Sequence, residues 1–224
     1  MRRAVLPLQA LRVELQSRFD VPFEIRKRPD REQIPTGIPA IDGLTEGGIP
    51  RGALTEICGN ESSGRTALMF ALLGRATGRG ECCAWIDAAG AFDPASAAEA
   101  GVELERVLWV NCGGNAEHAL KSADLLIQAG GFGLVVMDLA DTADAAARRI
   151  SLASWFRLRH AAERTGAALV AIERQIHARS CSTLQIEIRA TRAVWMGNLL
   201  RGVAARAESR KHYRSRTAEF TVVK

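Results

Sequence analysis

The stretch Gly59-Asn60-Glu61-Ser62-Ser63-Gly64-Arg65-Thr66 carries the residue types most able to do chemistry. Two glycines bound a short polar loop. The apolar run "ALTEIC" (53–58) leads in and an Ala/Leu-rich segment (64–78) leads out. A strand, a glycine-bounded loop and a helix amino terminus in that order aim backbone N–H groups and a helix dipole at one anion, as a phosphate cradle does. The alternative is a glycine loop that only caps a helix. Thr66 offers a hydroxyl to Mg²⁺, and Asp138, which closes the apolar run "LVVMD", is placed to hold that ion through water. Arg65 stands where such loops carry lysine. It keeps the charge, but its guanidinium is planar, longer and donates as a fork. The loop is therefore expected to attract a triphosphate yet to misplace it for phosphoryl transfer, where an error of about an ångström costs on the order of 100-fold in rate.

The elements that must position these groups are legible as an alternation. "ALTEIC", "CCAWID" (82–87), "RVLWVN" (106–111), "GLVVMD" (133–138) and "ALVAIE" (168–173) are short and mostly apolar, as strands buried on both faces are. Between them, segments 64–78, 94–101, 115–129 and 143–165 are rich in Ala, Leu, Glu and Arg, which predicts helices. Such alternation makes a mostly parallel sheet with helices on both sides, and ligands bind outside the carboxyl ends of its strands. "LQIEIR" (184–189) and "AEFTVV" (218–223) alternate apolar and polar and predict later, half-exposed strands. Residues 1–35 differ from the rest. Leu8, Leu11, Leu15 and Phe19 recur at helical spacing before the charged linker "RKRPDREQIP", so an amphipathic helix either packs elsewhere or folds back onto residues 36–224.

Composition sets outer bounds. With 224 residues and 47% hydrophobic content, the chain can bury one α/β core. A net charge of +5 points to an acidic partner such as nucleic acid, or to a solvated surface. Five cysteines without C-x-x-C spacing suit a reducing cytoplasm, and those in "TEIC" and "ECCAWI" are expected to be buried hydrophobes. Trp85 and Trp109 are expected in the core; Trp155, beside Phe156, suits either the core or a docking face, and the core is preferred. No apolar run is long enough to span a membrane.

The segment "PTGIPAIDGLTEGGIPRGALTEICGNESSGRT", followed by "WIDAAGAFDP", resembles the RecA recombinase family from about Thr36 to Val223. Gly37, Asp42, Gly47-Gly48, Pro50, Gly52, the "ESSG" of the loop and Asp93-Pro94 all fall as that family has them. The resemblance implies a RecA-like P-loop fold that binds ATP and Mg²⁺ through Gly59, Glu61, Ser62, Ser63, Gly64, Arg65, Thr66 and Asp138, with Asp93 near the base. Gln175 would sense the γ-phosphate. The family activates its attacking water with a glutamate two positions after the aspartate ending the second strand. That aspartate is Asp87, and Ala89 occupies the site. The family's adenine-stacking ring falls at Ser96. Hydrolysis is therefore expected to be absent or very weak.

Short length and the absence of a carboxyl-terminal domain resemble the ImuA group, RecA-like accessory proteins of error-prone translesion-synthesis cassettes. That likeness implies a cytoplasmic adaptor that meets a Y-family-like polymerase, or a RecA recombinase, in damage-induced mutagenesis. Relatives of the RecA fold pass an amino-terminal helix or strand to the next subunit, so the helix from Leu8 to Phe19 and its linker, within residues 1–35, are expected to serve as a self-association arm. An active DNA-dependent ATPase, or a regulator that joins and inhibits recombinase filaments, are the alternatives. The segments after Asp138 and at 176–183 are shorter than the family's DNA-binding loops. Between Arg201 and Lys224, seven basic residues face only Glu208 and Glu219. There Arg210, Lys211, Arg214 and Arg216 form a candidate weak DNA contact, with His212 and Tyr213 able to stack on an unpaired base, or else a solvated sheet edge.

Overall fold

Alternate residues of the apolar runs face opposite layers, which is why the runs read as almost continuously hydrophobic. The computed structural model describes residues 31–142, 144–211 and 214–223. The expected helix between Leu8 and Phe19, and His212 and Tyr213, lie outside the described residues, as do the side chains of Arg210, Lys211 and Arg214.

The strands are β1 (Gln33–Ile34), β2 (Ile49–Pro50), β3 (Ala53–Gly59), β4 (Cys83–Asp87), β5 (Val107–Asn111), β6 (Leu134–Asp138), β7 (Ala168–Glu173), β8 (Leu184–Met196), β9 (Leu199–Lys211) and β10 (Arg214–Val223). The helices are α1 (Pro39–Thr45), α2 (Arg65–Thr77), α3 (Pro94–Glu99), α4 (Ala116–Ala129), α5 (Asp144–Arg148) and α6 (Leu152–Thr165). Strands β1 and β2 pair with each other. The rest form one sheet in the order β10-β9-β8-β3-β7-β6-β4-β5. From β8 to β5 every pairing is parallel, and β9 and β10 add antiparallel strands at one edge.

In β6, Leu134 and Val136 face a core shared with α2, while Val135 and Met137 face a core shared with α4 and α6. Both layers are thus filled from one five-residue run. Helix starts follow local chemistry: the Asn115 side chain accepts from the N–H groups of Glu117 and His118, and that of Ser151 accepts from Ser154. Caps of this kind contribute about 1 kcal/mol each.

The structure corrects several expectations. Segment 143–165 is two helices rather than one, because Ser151 caps a new start after α5 ends. Trp109 is 42% exposed, since β5 lies at the sheet edge, whereas Trp85 and Trp155 are buried. Cys82 is exposed; Cys58 and Cys83 are buried, which pushes both thiols up to about 12. The two half-exposed strands near the carboxyl terminus are the ends of much longer ones, with β9 between them. No helix among the described residues is long and apolar enough to cross a membrane.

Candidate phosphate site

The loop after β3 is shaped by two features that demand its sequence. A Cβ on Gly59 would lie 2.3 Å from the Ile188 carbonyl oxygen on β8, so only glycine lets the two backbones approach. Ser62 and Gly64 have φ of 56° and 95°, the left-handed region, and alternation of hand around Ser63 turns backbone N–H groups toward a concave side. Gly64 then starts α2 without a side-chain cap, which leaves the first-turn N–H groups for an anion. Ser63 Oγ is buried and has no hydrogen-bond partner, and Thr66 is exposed at the helix start. Loop and helix terminus together have the donor groups that a phosphate could accept from, and Thr66 and Asp138 have oxygens of the kind that could hold a Mg²⁺ ion.

Two charged members of this site, Asp138 and Arg65, are buried, while Glu61 is exposed. Asp138, 8% exposed at the end of β6, accepts from the Ala140 N–H at 3.0 Å. Burial pushes its carboxyl up to about 6, against the pull of that hydrogen bond and of Arg65. Arg65 is 7% exposed, and its Nη1 donates at 2.8 Å to the carbonyl of Glu173, where β7 ends. Burial lowers its pKa, and attraction from Asp138 and Asp141 opposes that. The guanidinium is therefore committed to a backbone carbonyl beneath the loop.

The neighbouring loop is fully built without a glutamate. Asp87 accepts from the N–H groups of Gly90, Ala91 and Phe92 at 2.7, 3.0 and 2.8 Å, and from the Trp109 indole at 3.3 Å. Phe92 packs against Trp85 and Trp109 with ring centroids 5.0 and 5.3 Å apart. These contacts fix the course of the chain past Ala89, whose methyl group cannot accept a proton. Asp93 caps α3: its carboxylate accepts from the N–H groups of Ala95 and Ser96, and from the Ser96 hydroxyl at 2.5 Å. Gln175 is exposed, two residues beyond β7.

Sequence reasoning passed over the residue just before it. Arg174 Nη2 donates to Glu61 Oε1 at 2.5 Å, its Nε donates to the Ala140 carbonyl at 2.9 Å, and Asp141 lies 3.9 Å away. One side chain thus ties the phosphate loop to the segment after β6. A second missed group is Glu56, buried inside "ALTEIC". It accepts from the backbone N–H groups of His177 and Ala178 at 2.8 and 2.6 Å, from the Ser182 hydroxyl at 2.6 Å and from the Gln185 amide at 3.1 Å. Glu173 also contacts the His177 ring. The available signal was an acid placed inside an apolar run, which must find partners when buried.

Among the candidate DNA-contacting residues, the Arg216 side chain is described and pairs with Glu46 at 3.0 Å. Register sets Arg189, Arg206 and Glu219 abreast, then Glu187, Glu208 and Thr217, then Gln185, Arg210 and Ser215. Bonds from Arg189 to Glu187, Arg206 to Glu219 and Ser215 to Glu208 run between these side chains. The basic residues of β8 and β9 are thus interleaved with acids. A separate cleft of about 520 Å³, lined in part by Gly37, Arg75 and Arg79, lies at the carboxyl end of α2, away from the loop.

Comparison with known proteins agrees with this fold. Residues 23–198 match the family model of the RecA N-terminal domain. Protein RecA of Rickettsia bellii (strain RML369-C) is 40% identical over 119 residues, 52% of this chain and 34% of that protein. Protein RecA of Bifidobacterium longum (strain NCC 2705) is 37% identical over 140 residues, 61% of this chain and 35% of that protein. Protein RecA of Cutibacterium acnes is 43% identical over 106 residues, 47% of this chain and 30% of that protein. The matches span about a third of the length of these curated relatives.

Proposed function

This chain belongs to the RecA family, and from that premise we propose that it is a hydrolysis-deficient member that binds nucleotide and acts through contacts with other proteins. The observation that carries the reading is the fate of Arg65, buried and bonded to the Glu173 carbonyl, and with it goes Ala89 at the position where the family carries a water-activating glutamate. Binding and chemistry are separate demands on such a site. The loop N–H groups, the α2 terminus and Ser63 meet the first. Nothing at position 89 meets the second, since a general base must accept a proton.

When bound with the nucleotide, Mg²⁺ would supply positive charge to the phosphates, held by Thr66 and Asp138. The residues of this chain then bind and orient; they do not move a proton. The role proposed for the protein is that of an ImuA-like adaptor: a cytoplasmic, self-associating accessory factor in translesion synthesis and the mutagenesis of the SOS response. Its proposed partner is a Y-family-like polymerase or a RecA recombinase, with DNA contact weak. Interleaving of acids among the basic residues of β8 and β9 supports weak DNA contact.

Two measurements test this. Calorimetric titration with Mg·ATP is expected to give saturable binding, while a phosphate-release assay with single-stranded DNA gives no turnover above blank. Turnover abolished by Asp138→Ala would establish an active DNA-dependent ATPase instead. Capture of a purified Y-family polymerase by the immobilised full chain is the expected outcome for the adaptor role; retention equal to that on bare resin refutes it.

A further inference from the structure

Two arginines border the phosphate loop, and they are held in opposite ways. Arg65 is buried and bonded to a backbone carbonyl that cannot leave. Arg174 is 43% exposed, and its Nη2 is taken up by Glu61, a side chain of the phosphate loop itself. The loop therefore carries its own anion and presents it to the more accessible of the two cations. Arg174 Nε is anchored separately on the Ala140 carbonyl. The guanidinium can thus exchange the acceptor on its outer edge while the inner bond keeps the plane in place.

We infer that the Glu61–Arg174 pair is an internal stand-in for a terminal phosphate, and that Arg174 exchanges Glu61 for the γ-phosphate of a nucleoside triphosphate. The inference rests on the nucleotide-binding reading above and names the discriminating residue of that site. Three physical points carry it. An ion pair with both side chains this open to solvent contributes little to stability, so exchanging it costs little. A terminal phosphate has more charge and more acceptor oxygens than a carboxylate, and a guanidinium fork matches it bidentately. Placing that phosphate beside Glu61 would bring like charges together, so the carboxylate must leave as the phosphate arrives. A nucleoside diphosphate has no group to drive the exchange, and the pair would stay closed. Arg174 thereby separates triphosphate from diphosphate without hydrolysis, and release of Glu61 reports the difference to the segment around Asp141, 3.9 Å from the same guanidinium.

The test is calorimetric titration of the full chain with Mg²⁺-bound adenylyl imidodiphosphate and, separately, Mg·ADP. The proteins are the wild type, Glu61→Gln, Arg174→Gln and the double variant. Arg174→Gln is expected to weaken the triphosphate analogue about tenfold, the loss of a charge-assisted contact, and to leave ADP within about twofold. Glu61→Gln removes the competitor and is expected to raise the ratio of analogue affinity to ADP affinity several-fold; the double variant follows Arg174→Gln. Glu61 is exposed, so its variant keeps the test open if Arg174→Gln folds poorly. Should both nucleotides bind while neither variant alters the triphosphate-to-diphosphate ratio, the exchange is overturned and nucleotide binding stands. Should no protein of the four bind either nucleotide, both readings fall together.

Discussion

Arg65 exceeds a lysine in length and donor geometry, and the structure uses that excess to reach the Glu173 carbonyl at 2.8 Å. A lysine there gives up a bond between a charged donor and a buried carbonyl, so Arg65→Lys is expected to lower the free energy of unfolding by about 1–3 kcal/mol. Urea denaturation measures this. The compact ammonium, released from the Glu173 carbonyl, is expected to tighten Mg·ATP in the same calorimetric titration, so that stability and affinity move in opposite directions. Asp138 carries a second residue-level consequence, and its sign is set by burial. Its folded value, about 6, lies above the ordinary 3.8, so between those values the native state binds more protons than the unfolded chain. Its stabilising contribution is complete below pH 3.8 and is lost as pH rises through 6. In metal-free protein at pH 7.5, Asp138→Asn is therefore expected to be more stable than the wild type, on the order of 2 kcal/mol. That advantage shrinks as pH falls through 6 and vanishes below about 4, which thermal melts across the range will show.

At the scale of elements, what was legible in the sequence followed from residues whose pattern had one cause. The central strands were plain because both faces of β3, β4, β6 and β7 are covered. The phosphate loop was plain because glycines 59 and 64 answer to close approach and to left-handed backbone. Strand β9 was missed because its inward residues Ala205, Ala207 and Ser209 are small and weakly apolar, so burial leaves almost no alternation to see. Strand β5 misled in the other direction: residues 107–110, "VLWV", are all apolar, yet the strand lies at the sheet edge. Arg174 and Glu56 were invisible for a further reason. Each acts on a segment more than a hundred residues away in sequence, Arg174 on Glu61 and Glu56 on His177 to Gln185. Glu56 is the element-level test. Its carboxylate accepts two backbone N–H groups and two side-chain donors, so Glu56→Ala leaves the 177–185 segment with unpaired donors in a buried place. We expect a loss of about 3 kcal/mol or more in unfolding free energy. Trypsin cleavage after Arg174 and Arg179 is expected to accelerate under native conditions, because the segment is held by those bonds.

For the molecule as a whole, among the described residues, Leu125 on α4 and Leu152 and Phe156 on α6 are exposed apolar side chains on helices, and two further groups lie on strands. One is the turn between β8 and β9, where Trp195, Met196 and Leu199 lie beyond the residues that β10 pairs with. The other is β5, with Leu108 45% exposed and Trp109 beside it. An edge strand offers a row of backbone donors and acceptors to any strand that meets it, and natural edges are commonly blunted by charge, lysine above all. Here the outward edge is apolar, and exposed charged residues such as Arg189, Arg206 and Glu219 lie on the opposite, antiparallel side. That asymmetry favours association through β5 and agrees with a protein that works by contact. The particle mass of the wild type, measured by light scattering across a concentration series, is therefore expected to rise above the 24.2 kDa of one chain. Leu108→Lys is the variant of choice, because Trp109 also bonds Asp87 and its loss would disturb the loop at Ala89. The lysine adds charge to the edge without touching the phosphate loop, so its mass is expected to stay at that of a single chain while nucleotide affinity is unchanged. A wild type that remains monomeric at every concentration would overturn association through β5.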